Sequence, residues 1–247
     1  MSGHSKWNNI MHKKEKSDAQ RAKVFTKIGR EIAVAVKEGG AEPASNSKLY
    51  DLIVKAKVNN VPNDNIERII KKAAGGLEKD DYETIMYEGY GPSGVAVIVE
   101  ALTDNRNRTA GDLRHYFDKF GGNLGQTGCV GWMFDEKGVI VIARADGMDE
   151  DKVMDDALES GAVDFNADGD VFEIFTDPND LPKVRKALEE KHYQFLSTQV
   201  EHLPNNFTHL DNPDDIDNMR HILDALEDDD DVQNVWHNWE NEDEDDG

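Results

Sequence analysis

Seven cations near the start of the chain are spaced to grip phosphate. At about 100° per residue, Lys16, Lys23, Lys27 and Arg30 fall on one ridge of a helix, opposite its apolar stripe. Lys6, Lys13 and Lys14 stand just upstream, and Trp7 among them offers a ring to stack on a base or sugar. Together these residues make the electrostatic footprint of phosphate recognition. An ordinary solvated helix face carries similar charge, and Glu31 and Glu38 dilute the ridge, so composition alone leaves both readings open.

A second candidate is Thr103-Asp104-Asn105-Arg106-Asn107-Arg108-Thr109, a strand-to-helix junction. Arg106 and Arg108 sit beside the backbone donors of a helix N-terminus, a place that favours anions. Capping by Asn107 or Thr109, with two surface arginines, accounts for the same residues.

Other chemistry finds no pattern. Glycines 121, 122, 125, 128 and 131 suggest a phosphate loop, but no Gly-Lys-Ser/Thr follows them and no helix starts there, so a flexible turn into a strand is expected. The eight histidines are scattered, and the single cysteine, Cys129, has neither a CxxC partner nor an assigned base. Asp149, Glu150, Asp151, Asp155 and Asp156 could hold a divalent ion, yet acids in a first helical turn are what the helix dipole favours. The reading is a binding protein, not an enzyme, with no metal, cofactor or catalytic residue; a metal-dependent enzyme using the acidic domains is the distant alternative.

The elements that must position the cations follow from periodicity. Ala22, Phe25, Ile28, Gly29, Ile32, Ala33 and Val36 form one helical stripe ended by Gly39-Gly40. Two shorter helices follow Ser47 and Asn63, and three such stripes suit a small bundle. After Asp80 the period changes. Strands are expected at 83–90 and 95–103 around Gly91-Pro92-Ser93-Gly94, a helix at 109–120, and a strand at 129–134. Residues 139–200 then read strand, helix, strand, strand, helix, strand, the ferredoxin-like order. A last helix, 214–226, and strand, 232–236, cannot form a core alone; joined to residues 83–134 they complete a second sheet. The fold class is therefore α+β: a three-helix bundle and two ferredoxin-like α+β domains, one inserted in the other. The expected divisions are 1–80, 81–136 with 205–239, 137–204, and a disordered acidic tail at 240–247.

The net charge of −23 would repel a polyanion, but it is unevenly spread. Residues 1–80 carry 16 basic and 10 acidic residues, net +6, and the remainder is net −29. With screening over about 8 Å at physiological salt, a basic face can act locally. One cysteine, no apolar signal segment and no apolar run near roughly 18 residues argue against export and membrane insertion, so cytoplasm is the expected compartment.

Several stretches resemble one family. Ser2-Gly3-His4-Ser5-Lys6-Trp7-Asn8-Asn9-Ile10, Lys13-Lys14-Glu15-Lys16 and Ala22-Lys23-Val24-Phe25-Thr26-Lys27 are similar to the N-terminal signature of the YebC/PmpR family. Asn63-Asp64-Asn65-Ile66-Glu67-Arg68, Tyr87-Glu88-Gly89-Tyr90-Gly91-Pro92, the Asn-Arg stretch at 103–108 and Gly121-Gly122-Asn123-Leu124 resemble its later motifs. The resemblance implies a helical domain and two α+β domains, no catalytic residues, and nucleic acid as partner. Bacterial members are described as DNA-binding transcriptional regulators. Mitochondrial relatives are described as translational activators, and some bacterial relatives act on ribosomes paused at proline runs, which would make ribosomal RNA the partner. The family's basic region maps onto Lys6, Lys13, Lys14, Lys16, Lys23, Lys27 and Arg30, and its Asn-Arg loop onto Arg106 and Arg108.

Overall fold

The structure is a computed structural model and describes residues 18–76 and 81–242. Among the described residues three helices come first: α1 (Asp18–Gly39), α2 (Ser47–Val58) and α3 (Asn63–Ala74). Ile28, Ile32, Ala33 and Val36 are buried as the stripe requires, with Leu49, Leu52, Ala56, Ile66 and Ala73 from the other two helices. The stripe is incomplete as a description, because Val34 and Ala35 are buried too while Ala22 is exposed. A run apolar on all sides, as at Ile32–Val36, is enclosed rather than half-wetted. At Gly29 a Cβ would stand 3.2 Å from Ile69 Cδ1, so the missing side chain lets α1 and α3 approach closely.

Asn46 joins the first two helices. Its amide donates to the carbonyls of Ala35 and Gly40, both at 2.8 Å, and its Oδ1 accepts from Leu49 N at 3.0 Å. One buried side chain thus satisfies carbonyls at the end of α1 and caps the start of α2.

The chain then forms β1 (Glu83–Tyr90), β2 (Ala96–Thr103), α4 (Arg106–Lys119) and the short β3 (Asn123–Leu124). Next come β4 (Phe134–Ala143), α5 (Glu150–Glu159), β5 (Asp164–Asp168), β6 (Val171–Thr176), α6 (Leu181–Glu190) and β7 (Ser197–Pro204). These last strands lie in the order β5-β6-β4-β7, the ferredoxin-like arrangement. Ile140, Ile142, Phe172 and Ile174 pack with Val153 and Ala157 of α5 and with Leu181, Val184 and Leu188 of α6. Val139, Val141 and Val171 are buried on the opposite face, which explains the unbroken apolar run of β4.

Finally α7 (Pro213–Asp228) and β8 (Val232–His237) complete the other sheet, of order β3-β1-β2-β8. Its central pair is a hairpin, running in register from Glu83↔Thr103 to Tyr90↔Ala96. Strand β2 is covered on both faces. Val97 and Val99 meet Leu113 and Phe117 of α4 and Met219 and Ile222 of α7, while Ala96 and Ile98 meet Val130, Met133, Phe134 and Trp236. The chain thus makes two compact units, residues 1–78 with 136–201 and residues 79–135 with 202–247.

Two expectations need correction. No strand occupies 129–134; a single 3-10 turn, Gly131–Met133, leads into a strand that starts at Phe134 and runs unbroken to Ala143. The amides of Val130 and Gly131 donate to the Glu88 carboxylate rather than to a strand ladder. Nor does order end before Glu240. Glu240 N donates to Thr208 O at 2.9 Å, and Asn241 is buried, exchanging hydrogen bonds with both backbone groups of Leu210 and accepting from Trp239 Nε1. Residues 243–247 lie outside the described residues.

Because Asn46 serves two helices at once, Asn46→Ala should lower bundle stability by roughly 2–3 kcal/mol, a lost cap plus unsatisfied carbonyls. Asn46→Asp, which keeps the acceptor for Leu49, should lose less. Hydrogen exchange of the α1 and α2 amides checks this; equal protection in Asn46→Ala and the parent would contradict it.

Candidate nucleic-acid interface

On α1, Lys23, Lys27 and Arg30 are half-buried and fall within an arc of about 60°, turned away from the Gly29 contact with α3. The two acids that dilute this ridge in the sequence are both engaged by α2. Lys55 Nζ donates to both Glu31 carboxylate oxygens at 2.9 and 3.1 Å, and Lys48 pairs with Glu38 at 3.1 Å. Part of their negative charge is therefore offset by cations of the neighbouring helix. Lys6, Trp7, Lys13, Lys14 and Lys16 lie outside the described residues.

Helix α3 adds cations that the sequence reading did not single out. Arg68, Lys71 and Lys72 are exposed, on the face opposite Ile66, Ile69, Ile70 and Ala73. Counting 3.6-residue steps from the isoleucine stripe, as was done for α1, would have found them.

Arg106 and Arg108 belong to the other unit and are held by acids. Arg106 pairs with Glu83 through two contacts of 2.6 and 3.3 Å, both partners exposed. Such a solvent-screened pair is weak and can exchange its carboxylate for a phosphate. Arg108 is tied inward: its Nη2 donates to Asp104 and Asp231, each at 2.8 Å. Thr103 and Thr109 hydroxyls also donate to Asp231, at 3.2 and 2.9 Å. Burial opposes ionisation of Asp231, but these donors, with Arg108 foremost, hold its carboxyl below the ordinary range. The helix cap is Asn105, whose side chain accepts from Arg108 N, not Asn107 or Thr109. Thr109 instead turns into the Asp231 network. Of the two arginines, Arg106 is the more available to a ligand.

A built cluster fastens α2 to α6 and β7 within the first unit. Asp51 Oδ1 accepts from Arg185 Nη1 at 3.2 Å and from the Thr198 hydroxyl at 2.5 Å. The Arg185 guanidinium lies 4.0 Å from the Tyr50 ring centroid, and the Tyr50 hydroxyl donates to Glu189. Burial, then Glu189, pushes Tyr50 up to about 12, so it remains a donor. Burial also outweighs Thr198 and Arg185 at Asp51 and pushes its carboxyl to about 6.

The acidic cluster of α5 has local duties. Asp149 caps the helix, accepting from Asp151 N and Lys152 N, and Asp156 accepts from Lys152, Lys191 and Tyr193. Among the described residues no group of histidine, cysteine or carboxylate side chains is placed to hold a metal, and no helix is long and apolar enough to cross a membrane. Cys129 is half-buried, and burial followed by Glu88 raises its thiol, the opposite of an activated nucleophile.

A cation-bearing helical bundle followed by two four-stranded α+β layers is the arrangement of one protein family. The chain belongs to the TACO1/YebC family: residues 5–76 match its N-terminal domain and residues 82–239 its second and third domain. It is 60% identical over 242 residues to a "probable transcriptional regulatory protein" of Acetivibrio thermocellus, covering 98% of this chain and 100% of that one. A protein of the same description from Ruminiclostridium cellulolyticum is 58% identical, covering 99% and 98%. The crystal structure of a conserved hypothetical protein, Aq1575 from Aquifex aeolicus, superposes with a TM-score of 0.81 at 44% identity over 94% of this chain and 95% of that one.

The raised Asp51 carboxyl sets a pH dependence. Folded Asp51 binds its proton more tightly than the unfolded chain, so its contribution is complete below 3.8 and is lost as pH rises through about 6. Between pH 4.5 and 7 the parent should lose about 2 kcal/mol relative to Asp51→Asn, which cannot titrate. Chemical denaturation of both proteins at the two pH values measures it. Parallel profiles would show that Asp51 titrates normally.

Proposed function

We propose that the chain regulates gene expression by binding nucleic acid through its basic helical region, residues 1–80, with the acidic α+β parts, 81–136 with 205–239 and 137–204, serving as separate domains. The observation that supports this reading is the clustering of Lys23, Lys27 and Arg30 on one face of α1, in a region that is net basic within an acidic chain. Lysine offers a point charge to phosphate, so the ridge positions a backbone, and Arg106 supplies a further anion contact. The role is that of a regulator rather than an enzyme, acting in the cytoplasm.

The descriptions of the relatives favour DNA and transcription. A second reading, a translation factor on ribosomal RNA, is favoured by the ridge itself. Base-specific DNA readout uses Asn, Gln or Arg in the major groove, whereas this ridge is mostly lysine. A net −29 outside residues 1–80 also opposes a long bare duplex.

Replacing Lys23, Lys27 and Arg30 together with Gln should weaken binding on all sequences and reduce the slope of log K against log salt by about 0.7–0.9 per lost phosphate contact. An unchanged slope would make these residues a solvated face. The target is separated by sucrose-gradient fractionation of lysate, with and without ribonuclease, beside a chromatin pull-down. Ribosomal co-migration lost in the triple variant would select translation; discrete promoter occupancy without a ribosomal fraction would select transcription.

A further inference from the structure

The residue most out of place by polarity is Trp132, 70% exposed on the glycine-rich loop before β4. The loop is firmly held. Glu88, itself buried, accepts from the amides of Gly128, Val130 and Gly131 at 2.7, 2.8 and 2.7 Å. Tyr90 Oη donates to Cys129 O at 3.0 Å, and Val130, Met133 and Phe134 anchor the loop in the core with Ile98 and Trp236. An exposed Trp on a mobile loop would be unremarkable; this one stands on a frame fixed by a buried carboxylate. Its Nε1 already donates to Cys129 O at 3.1 Å, so only the ring face and hydrocarbon edge are left for another molecule.

A second exposed aromatic stands on the neighbouring segment. Asn205 N donates to Met133 O at 2.8 Å, bringing residues 205–208 beside the loop, and Phe207 there is 48% exposed. The surroundings are acidic. Residues 79–135 and 202–247 hold 25 acidic against six basic residues. Asp135, three residues after Trp132, and Glu240, whose amide donates to Thr208 O at 2.9 Å, are both exposed. Pre-organised aromatic rings in a negative field suit a cation stacked on the ring face, and Arg and Trp are the residues most used at interface centres. A polyanion would be repelled by the same field.

We propose that Trp132 and Phe207 form a docking surface for an arginine- or lysine-bearing segment of a basic protein partner. The site is distinct from the cations of residues 1–80 and does not rest on the nucleic-acid reading. Glu88 acts as its positioning residue by fixing the loop.

The test uses the full chain and a labelled peptide of alternating Arg and Gly, read by fluorescence anisotropy at physiological salt. Trp132→Ala should weaken binding about tenfold and Trp132→Phe, which keeps a ring face, by no more than about threefold. Asp217→Asn with Asp224→Asn, exposed acids on α7, controls for general attraction and should weaken binding less than Trp132→Ala. The proposal is overturned if the parent does not bind the peptide, if Trp132→Ala binds as the parent does, or if the α7 variant loses as much. A Trp132-dependent loss seen with a single-stranded RNA oligonucleotide but not with the peptide would assign the surface to nucleic acid instead.

Discussion

Electrostatic self-repulsion is the constraint on which this structure depends. A chain with 51 acidic and 28 basic residues cannot pair every carboxylate with a cation. The fold meets this in part by giving three enclosed or half-buried carboxylates donors that need not be charged. Glu88 takes three backbone amides, Asp231 two threonine hydroxyls besides Arg108, and Asp51 the Thr198 hydroxyl besides Arg185. Where donors outweigh burial, at Glu88 and Asp231, the carboxyl stays below its ordinary range; where burial outweighs donors, at Asp51, it rises. Each of these acids also joins elements far apart in sequence, so solvating the carboxylate and closing the tertiary structure are one event.

The same constraint bears on how the cations are distributed. In the second unit they are few, and two are paired with acids: Arg108 with Asp104 and Asp231, and Arg106 with Glu83. In the helical bundle the relation is reversed. Lysines of α2 pair with Glu31 and Glu38 of α1, and cations outnumber acids there, with Lys23, Lys27 and Arg30 on α1 and Arg68, Lys71 and Lys72 on α3. Charge segregation along the chain thus becomes segregation by element.

Much of this was legible in the sequence because it is local. The Val95–Val99 run between turn residues marked β2, and the alternation of strands and helices after Gly138 gave the ferredoxin-like order within a few residues of the observed ends. The Ile66, Ile69, Ile70 and Ala73 stripe placed α3. What escaped depends on partners distant in sequence. Nothing near Gly128–Gly131 reveals that a glutamate 40 residues earlier will take its amides, so periodicity alone turned the turn into a strand. Glu31 and Glu38 look like faults in a basic ridge until α2 is folded beside them. In the Asn-Arg stretch Asn107 or Thr109 is the expected cap of α4; Asn105 takes that place, and the Asp231 network draws Thr109 inward.

These long-range contacts also separate what positions a site from what touches a ligand. The ridge cations require α1 to be held at a fixed rotation, and that rotation is set at one end by Asn46, and along its length by Gly29 against α3 and Lys55 against Glu31. None of these groups needs to meet phosphate. A lysine ridge tolerates small displacements, since its charge acts over several ångströms, whereas a stacked aromatic does not. This difference in tolerance matches the way the two surfaces are built: the α1 cations stand on a helix bundle held by its apolar core and scattered side-chain ties, and Trp132 on a loop whose successive amides are clamped by one carboxylate.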